Sequence, residues 1–289
     1  MADLENPRLC VAGFSYLEIR VGDFIHPPAG CEIFVDNIGV SMGGVFNTAL
    51  AARRLGIPGV QAAFPQGEGL SDLIMQAVYQ RFSIATFTWA ARSDPAISLV
   101  FNDNHDRSFL SSCDHQALGR CPHLPQAKWL HFPGLLELVA MRRHAKKARD
   151  SGTPVSVSGS WLPEKLKNFE LYNGCWDVLF LNEKEAACIS SDIAQLIKKL
   201  DAFERTVIIT RGAMGAVACV KAKEYHFRSE ASPAVKTTVG AGDAYAAGYI
   251  AGLLKKSEPD ECLQIAHDAA TAWISSGGSA ALTVEREEL

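Results

Sequence analysis

The stretch that decides the fold reads Thr237-Thr238-Val239-Gly240-Ala241-Gly242-Asp243-Ala244, and small residues run on through Ala246, Ala247, Gly248, Ala251 and Gly252. Glycines at 240 and 242 make a tight loop in which main-chain N–H groups converge with no side chain in the way. The residues after it open a helix, whose N-terminus carries partial positive charge, so the loop is suited to hold a phosphate. Asp243 falls in the first turn, beside that anion, and would repel a phosphate that is merely bound. It makes sense as a base that takes the proton of a phosphoryl-accepting hydroxyl, while the loop dipoles stabilise charge on the transferred group. A plain glycine-rich helix start, with aspartate favourable in its first turn, accounts for the same residues without chemistry.

Two other nucleotide-binding devices are excluded. A GxGxxG fingerprint needs glycine at 245, where Tyr245 stands, and the loop lies late in the chain rather than in a first βα unit. No GxxxxGK[ST] motif occurs anywhere.

Working outward, short apolar runs alternate with helix-like segments. Strands are predicted at Leu9–Gly13, Ser98–Asn102, Trp129–Phe132, Pro154–Ser158, Val178–Leu181, Val207–Thr210 and Ala216–Val220. The last three are nearly continuous apolar runs, as in strands buried on both faces. Helices are predicted at Asn47–Leu55, Leu73–Gln80, Glu137–Asp150, Glu183–Ile189, Ile193–Phe203, Asp243–Leu254 and Asp260–Ser276. Gly56 suits a left-handed cap after Leu55; Ser257, Pro259 and Gly277 suit the cap, first turn and end of the last helix. The alternation argues for α/β layering on a mostly parallel sheet. Segments 14–42 and 95–112 break the pattern and read as antiparallel strands of a small extra sheet. The second carries a polar tip at Asn102-Asp103-Asn104-His105-Asp106-Arg107.

Composition narrows the function classes. The chain has 289 residues, 48 % hydrophobic and 21 % charged, with a net charge of −4. That balance fits a globular chain and gives no global field for nucleic acid or anionic lipid. No run approaches the roughly 18 apolar residues of a membrane span. Met1–Glu5 has no basic or apolar leader character, and eight scattered cysteines without a CxxC pair read as reduced thiols of a cytoplasmic protein. Cys113, His115, Cys121 and His123 are metal-ligand types at a spacing that matches no common zinc site. The basic run Arg142-Arg143-His144-Ala145-Lys146-Lys147 reads as a solvated helix face, and Glu285–Glu288 as a solvated tail. Phe46, Phe101 and Phe109 read as core or lid packing, and Cys188 and Cys219 as small core residues.

Four motifs in order carry a resemblance. Gly240-Ala241-Gly242-Asp243 with its small-residue helix resembles the C-terminal signature of the ribokinase/PfkB family of carbohydrate kinases. Ser41-Met42-Gly43-Gly44-Val45-Phe46-Asn47-Thr48-Ala49, running to Arg54-Leu55-Gly56, resembles its N-terminal glycine signature. Asn182-Glu183-Lys184-Glu185 matches its N-x-x-E element, and Thr210-Arg211-Gly212-Ala213-Met214-Gly215 its T-x-G-x-x-G loop. The likeness covers nearly the whole chain. It implies a ribokinase-like three-layer α/β/α fold with a mostly parallel central sheet. Residues 1–13, 43–94 and 113–289 would form the core, and 14–42 and 95–112 a small β lid that excludes water from the site.

The resemblance also implies roles. Asp243 becomes the base, and the amides of Gly240, Ala241 and Gly242 the anion hole. Asn182 and Glu185 would organise Mg2+ through water. Thr210, Gly212 and Gly215 would line the phosphates of ATP, and Gly43, Gly44 and Asn47 would meet sugar hydroxyls. Departures from the family pattern are instructive. Thr237 replaces an aspartate that helps hold a monovalent cation, so potassium activation is not carried over. Glu18 stands where the sugar-binding aspartate belongs, and Met42 replaces the first glycine of the N-terminal pair. Ser158-Gly159-Ser160 replaces an Asp-x-Asn, and His267 an asparagine near the adenine. The expected activity is ATP- and Mg2+-dependent phosphorylation of a hydroxyl, a primary one, of a sugar or sugar-like small molecule. Its rivals are a nucleoside kinase, a non-catalytic sensor on the kinase fold and, more remotely, an oxidoreductase. Expected partners are a small sugar-like molecule and a second copy paired through lid edges, with no nucleic acid or membrane.

Overall fold

The computed structural model describes residues 7–22, 27–34, 38–92, 96–102, 107–160, 162–229 and 234–279. Met1–Glu5, the tip at 103–106 and the tail at 285–288 lie outside them.

In chain order the strands are β1 (Leu9–Ala12), β2 (Ser15–Gly22), β3 (Ile38–Gly44), β4 (Val60–Gln66), β5 (Ala85–Ala90), β6 (Ile97–Asn102), β7 (Arg107–Ser112), β8 (Leu130–Phe132), β9 (Val155–Ser158), β10 (Val178–Asn182), β11 (Thr206–Thr210), β12 (Ala216–Val220) and β13 (Lys223–Phe227). The helices are α1 (Val45–Arg54), α2 (Leu70–Arg81), α3 (Leu135–Ala140), α4 (Arg142–Asp150), α5 (Pro163–Leu166), α6 (Glu183–Ile189), α7 (Ile193–Lys199), α8 (Ala241–Lys255) and α9 (Pro259–Ser276).

Among the described residues, nine strands form one sheet in the order β13-β12-β11-β10-β9-β8-β1-β4-β5. From β11 to β5 every pairing is parallel; β12 and β13 add antiparallel edge strands. Alternate residues enter two cores. Leu9, Val11, Ala62, Phe180 and Ile208 pack toward α1, α8 and α9. Cys10, Ala12, Phe132, Val157, Leu179 and Val207 pack toward α3, α4, α6 and α7. The result is the expected α/β/α three-layer fold. The smaller sheet, β3-β2-β6-β7, is a lid fed by the ends of β1 and β5; its two hairpins are antiparallel as expected, but β2 and β6 join them in parallel, because both strands leave the same edge of the large sheet.

The small-residue run has a packing reason. A Cβ at Gly248 would lie 2.6 Å from Ala266 Cα, and one at Gly252 2.7 Å from Cys262 Sγ, so these positions let α9 lie close against α8. Gly56 adopts φ +76 after α1, and Gly277 φ +87 after α9, both as expected.

Several local expectations need correction. The helix predicted over Glu137–Asp150 is two helices, broken where the fully buried Met141 leaves helical geometry (φ −106, ψ 18). The helix predicted to Phe203 ends at Lys199, because Asp201 turns to φ +48 and the Ala202 amide closes on Ile197 O. Ser257 does not cap α9: Glu258 occupies the cap, with no side-chain bond, and Pro259 follows. Strands β4, β5 and β13 were not expected. Pro65 inside β4 argues against a ladder position, β5 alternates with polar threonines, and β13 is a charged edge strand. In the basic run, Arg142, Lys146 and Lys147 are exposed but His144 is buried and bonds Cys121 O at 3.1 Å. Cys113 and His115 are in contact at 3.6 Å, whereas Cys121 turns to His123 O. Among the described residues no three His, Cys, Asp or Glu gather as a metal site, and no helix is long and apolar enough to cross a membrane.

Candidate active site

Four helices begin at the C-terminal edge of the parallel strands, after Gly44, Gly134, Asn182 and Gly240. Ligands of open α/β sheets bind at this edge, where strand ends and helix N-termini meet. Gly240 caps α8 in left-handed geometry, φ +78, and Trp273 of α9 holds the loop by donating to Val239 O at 2.7 Å. A Cβ at Gly240 would strike the Trp273 indole at 2.8 Å. The loop is therefore shaped by close packing as well as by its backbone conformation.

Asp243, in the first turn of α8, accepts a hydrogen bond from Asn47 Nδ2 at 3.1 Å. Asn47 lies on α1 and is buried, and its Oδ1 has no partner among the described residues. Burial pushes the Asp243 carboxyl up to about 7; the Asn47 bond opposes the rise, and the Glu18 and Glu137 carboxylates add to it. Glu18, on the lid strand β2, accepts from Ser41 Oγ at 3.0 Å and folds over Gly43, whose Cβ would sit 2.0 Å from Glu18 Oε1. Gly44 turns the chain into α1 at φ +64, against Phe14 O.

Behind the loop lies a cavity of about 610 Å3, lined by Thr210, Gly212, Gly215, Ala241, Gly242 and His267. His267 is held by Ser229 at 3.2 Å and packs on Phe227. A cleft of about 310 Å3 adjoins it, lined by Asn182, Glu185, Gly240 and Asp243, and the two share Thr210, Thr238, Gly242 and Tyr245 as walls. All the predicted site residues thus gather at one edge of the sheet or on the lid above it.

Asn182 and Glu185 form a reciprocal cap on α6: Glu185 N donates to Asn182 Oδ1 and Asn182 N to Glu185 Oε2, each at 2.9 Å. Burial raises the Glu185 carboxyl above its ordinary value, while the Asn182 backbone and side chain act against that. One carboxylate and one amide, both already bonded at one oxygen, fit a metal that keeps its water shell rather than one stripped of it.

Sequence reasoning missed Glu137. It is buried in the first turn of α3 and accepts from the Phe14 amide. Gly13 and Gly134 leave room for it: their Cβ atoms would lie 2.5 and 2.4 Å from Glu137 atoms. Burial raises its carboxyl above the ordinary value, with backbone bonds opposing. The available signal was an acid just past an apolar run ending in Pro133-Gly134, the strand end where α/β sites form.

The model of the pfkB family of carbohydrate kinases matches residues 19–286. A fructokinase of Klebsiella pneumoniae is 40 % identical over 100 residues, 33 % of this chain and 32 % of that protein, so the matched stretch spans about a third of that relative. An uncharacterized sugar kinase of Escherichia coli K12, YegV, is 25 % identical across 96 % of this chain and 92 % of its own. Adenosine kinase 2 of Arabidopsis thaliana is 30 % identical over 163 residues, 50 % of this chain and 46 % of its own. Among solved structures, a Methanocaldococcus jannaschii nucleoside kinase superposes with TM-score 0.78 at 17 % identity, covering 95 % of this chain and 94 % of that one. A Thermotoga maritima ribokinase gives 0.75 at 17 % identity, with 94 % of each chain covered. At these identities the structural likeness establishes the fold alone.

Proposed function

The chain belongs to the pfkB family of carbohydrate kinases, small-molecule kinases that use ATP, and we propose that its acceptor is a primary hydroxyl of a sugar or sugar-like molecule. The observation that carries this reading is the Asp243 carboxylate, bonded to Asn47, at the start of α8 in the wall of the cleft that adjoins the larger cavity. ATP occupies the larger cavity, with its phosphates along Thr210, Gly212 and Gly215 and its base toward His267. The acceptor lies under the lid against Glu18, Gly43, Gly44 and Asn47, whose free Oδ1 accepts from a substrate hydroxyl.

In the transfer, the acceptor O–H gives its proton to Asp243, its oxygen bonds the terminal phosphorus, and the bond from that phosphorus to the bridging oxygen breaks, releasing ADP. The amides of Gly240 and Gly242 face the negative charge that develops on the phosphoryl oxygens, and the Ala241 amide, which donates to Thr238 O at 3.3 Å, joins them once that long bond gives way. Glu185 and Asn182 would hold Mg2+ through its waters; when bound it neutralises phosphate charge. We place the lid in residues 14–42 and 95–112, and the protein in the cytoplasm without nucleic-acid partners.

The two edge strands of the lid, β3 and β7, expose Ile38, Val40 and Leu110. We infer that a second copy covers them; an elution volume matching a monomer at micromolar concentration would refute this. The function is tested by coupled ADP release across free sugars and nucleosides, with and without potassium. Release with a sugar supports the reading. Release with nucleosides alone favours a nucleoside kinase, the class suggested by the resemblance to the adenosine kinase. Binding without ADP release favours a sensor.

A further inference from the structure

Tyr245 lies two residues beyond Asp243 on α8 and is only 5 % exposed. It forms part of the wall of both the nucleotide-sized cavity and the Asp243 cleft. Among the described residues its buried hydroxyl has no hydrogen-bond partner. Ser158 Oγ, at the end of β9, lines the same cleft and is also unpaired. Two other enclosed phenols have partners: Tyr79 bonds Ser15 at 2.9 Å, and Tyr16 meets Cys113 at 3.6 Å.

An unpaired buried hydroxyl is unfavourable, because it gives up the water it bonds in the unfolded chain. Phenylalanine would fill the same space without that penalty. The oxygen is explained by a partner that arrives with the ligand. Whatever reaches from the larger cavity to Asp243 must pass the shared wall, and in a kinase that is the terminal phosphate. Phosphate oxygens accept hydrogen bonds; a phenol can donate one.

We propose that the Tyr245 hydroxyl donates a hydrogen bond to an oxygen of the phosphoryl group in transit, with the Ser158 hydroxyl supporting it from β9. The assignment rests on the kinase reading above and adds a phosphate contact outside the Gly240–Gly242 loop. Burial raises the phenol above its ordinary value, which keeps it a donor at neutral pH.

The test compares wild type with Tyr245→Phe and Ser158→Ala. Binding of ADP and of a non-hydrolysable ATP analogue is followed by calorimetry, turnover by ADP release, and folding by thermal denaturation without ligand. For Tyr245→Phe, kcat should fall at least about tenfold, the usual scale of a donor to developing charge. The acceptor KM should stay within about twofold, and analogue affinity should drop while ADP affinity holds. The ligand-free Tm should equal or exceed that of wild type, since an unpaired buried oxygen has been removed. Ser158→Ala should show the same pattern in weaker form. Unchanged kcat and analogue affinity in Tyr245→Phe would overturn the proposal and leave the kinase reading intact, as would equal losses for ADP and analogue. Wild-type protein that binds neither nucleotide would overturn both.

Discussion

Asn47 Nδ2 donates to Asp243 Oδ2 at 3.1 Å, joining residues 196 positions apart in the chain. The bond ties the start of α1 to the start of α8, two helices that pack on each other. It also sets a balance. Burial and the carboxylates of Glu18 and Glu137 disfavour the charge on Asp243, and the amide donor favours it. The outcome, a carboxyl near 7, is that of a base poised close to neutral pH.

The first prediction concerns pH. A base must be deprotonated, so kcat/KM should rise with pH and level off above the Asp243 pKa, about 7. Asn47→Leu removes the donor that favours the charged form, and the acidic limb should move to higher pH by about one unit. A pH–rate profile checks both; an acidic limb that stays in place in the variant would show that the bond does not tune the base.

Replacing the proposed base, Asp243, separates activity from stability. Asp243→Asn should lower kcat by at least ~10²-fold. It should also stabilise the ligand-free protein at pH 8. The Asp243 pKa is higher in the folded chain, about 7, than in the unfolded chain, about 3.9. Its protonated form therefore favours folding below pH 4, and that contribution is lost as pH rises through 7. Asparagine escapes the loss. The Tm of the variant should exceed that of wild type at pH 8, and the gap should close toward pH 4. Near-normal turnover would remove Asp243 from the role of base.

Glu137 offers a third test. Its carboxylate adds to the rise in the Asp243 pKa, so Glu137→Gln should move the acidic limb of kcat/KM toward lower pH by up to about one unit. Removing a burial-strained carboxyl should leave Tm at pH 8 equal or higher. A limb that moves upward would mean that Glu137 acts by holding the lid or loop rather than through its charge.

The way these residues were found, or missed, follows from their physics. Asp243, Asn182 and Thr210 sit in short local patterns, where loop, cap and helix start lie within a few residues of one another. Such arrangements are visible in a linear sequence. The apolar runs that placed β10, β11 and β12 are local too, because strands buried on both faces are apolar nearly throughout. Glu137 is different. Much of its environment comes from Gly13 and Phe14, more than a hundred residues away, and the Pro133-Gly134 strand end is the one mark beside it in the chain. Strand β4 was hidden by Pro65 and β13 by its exposed charges, since both owe their place to neighbours in the sheet. The break at Met141 was hidden as well: the residue is apolar and helix-compatible, and only its burial between α3 and α4 distinguishes it.

The last prediction sets two adjacent glycines against each other. A Cβ at Gly43 would lie 2.0 Å from Glu18 Oε1, the end of a side chain that can rotate aside. A Cβ at Gly44 would lie 2.1 Å from Phe14 O, which is backbone, at a residue with φ +64. Gly43→Ala should therefore displace Glu18 from the acceptor side of the site, lowering kcat/KM at least about tenfold with little loss of stability. Gly44→Ala combines a left-handed backbone with a main-chain clash and should destabilise the fold by about 1–3 kcal/mol. Denaturant titration and acceptor kinetics on the two variants give the comparison. Equal stability losses would mean that Glu18 is locked by its bond to Ser41 and cannot yield. Full activity in Gly43→Ala would mean that the acceptor does not depend on where Glu18 points.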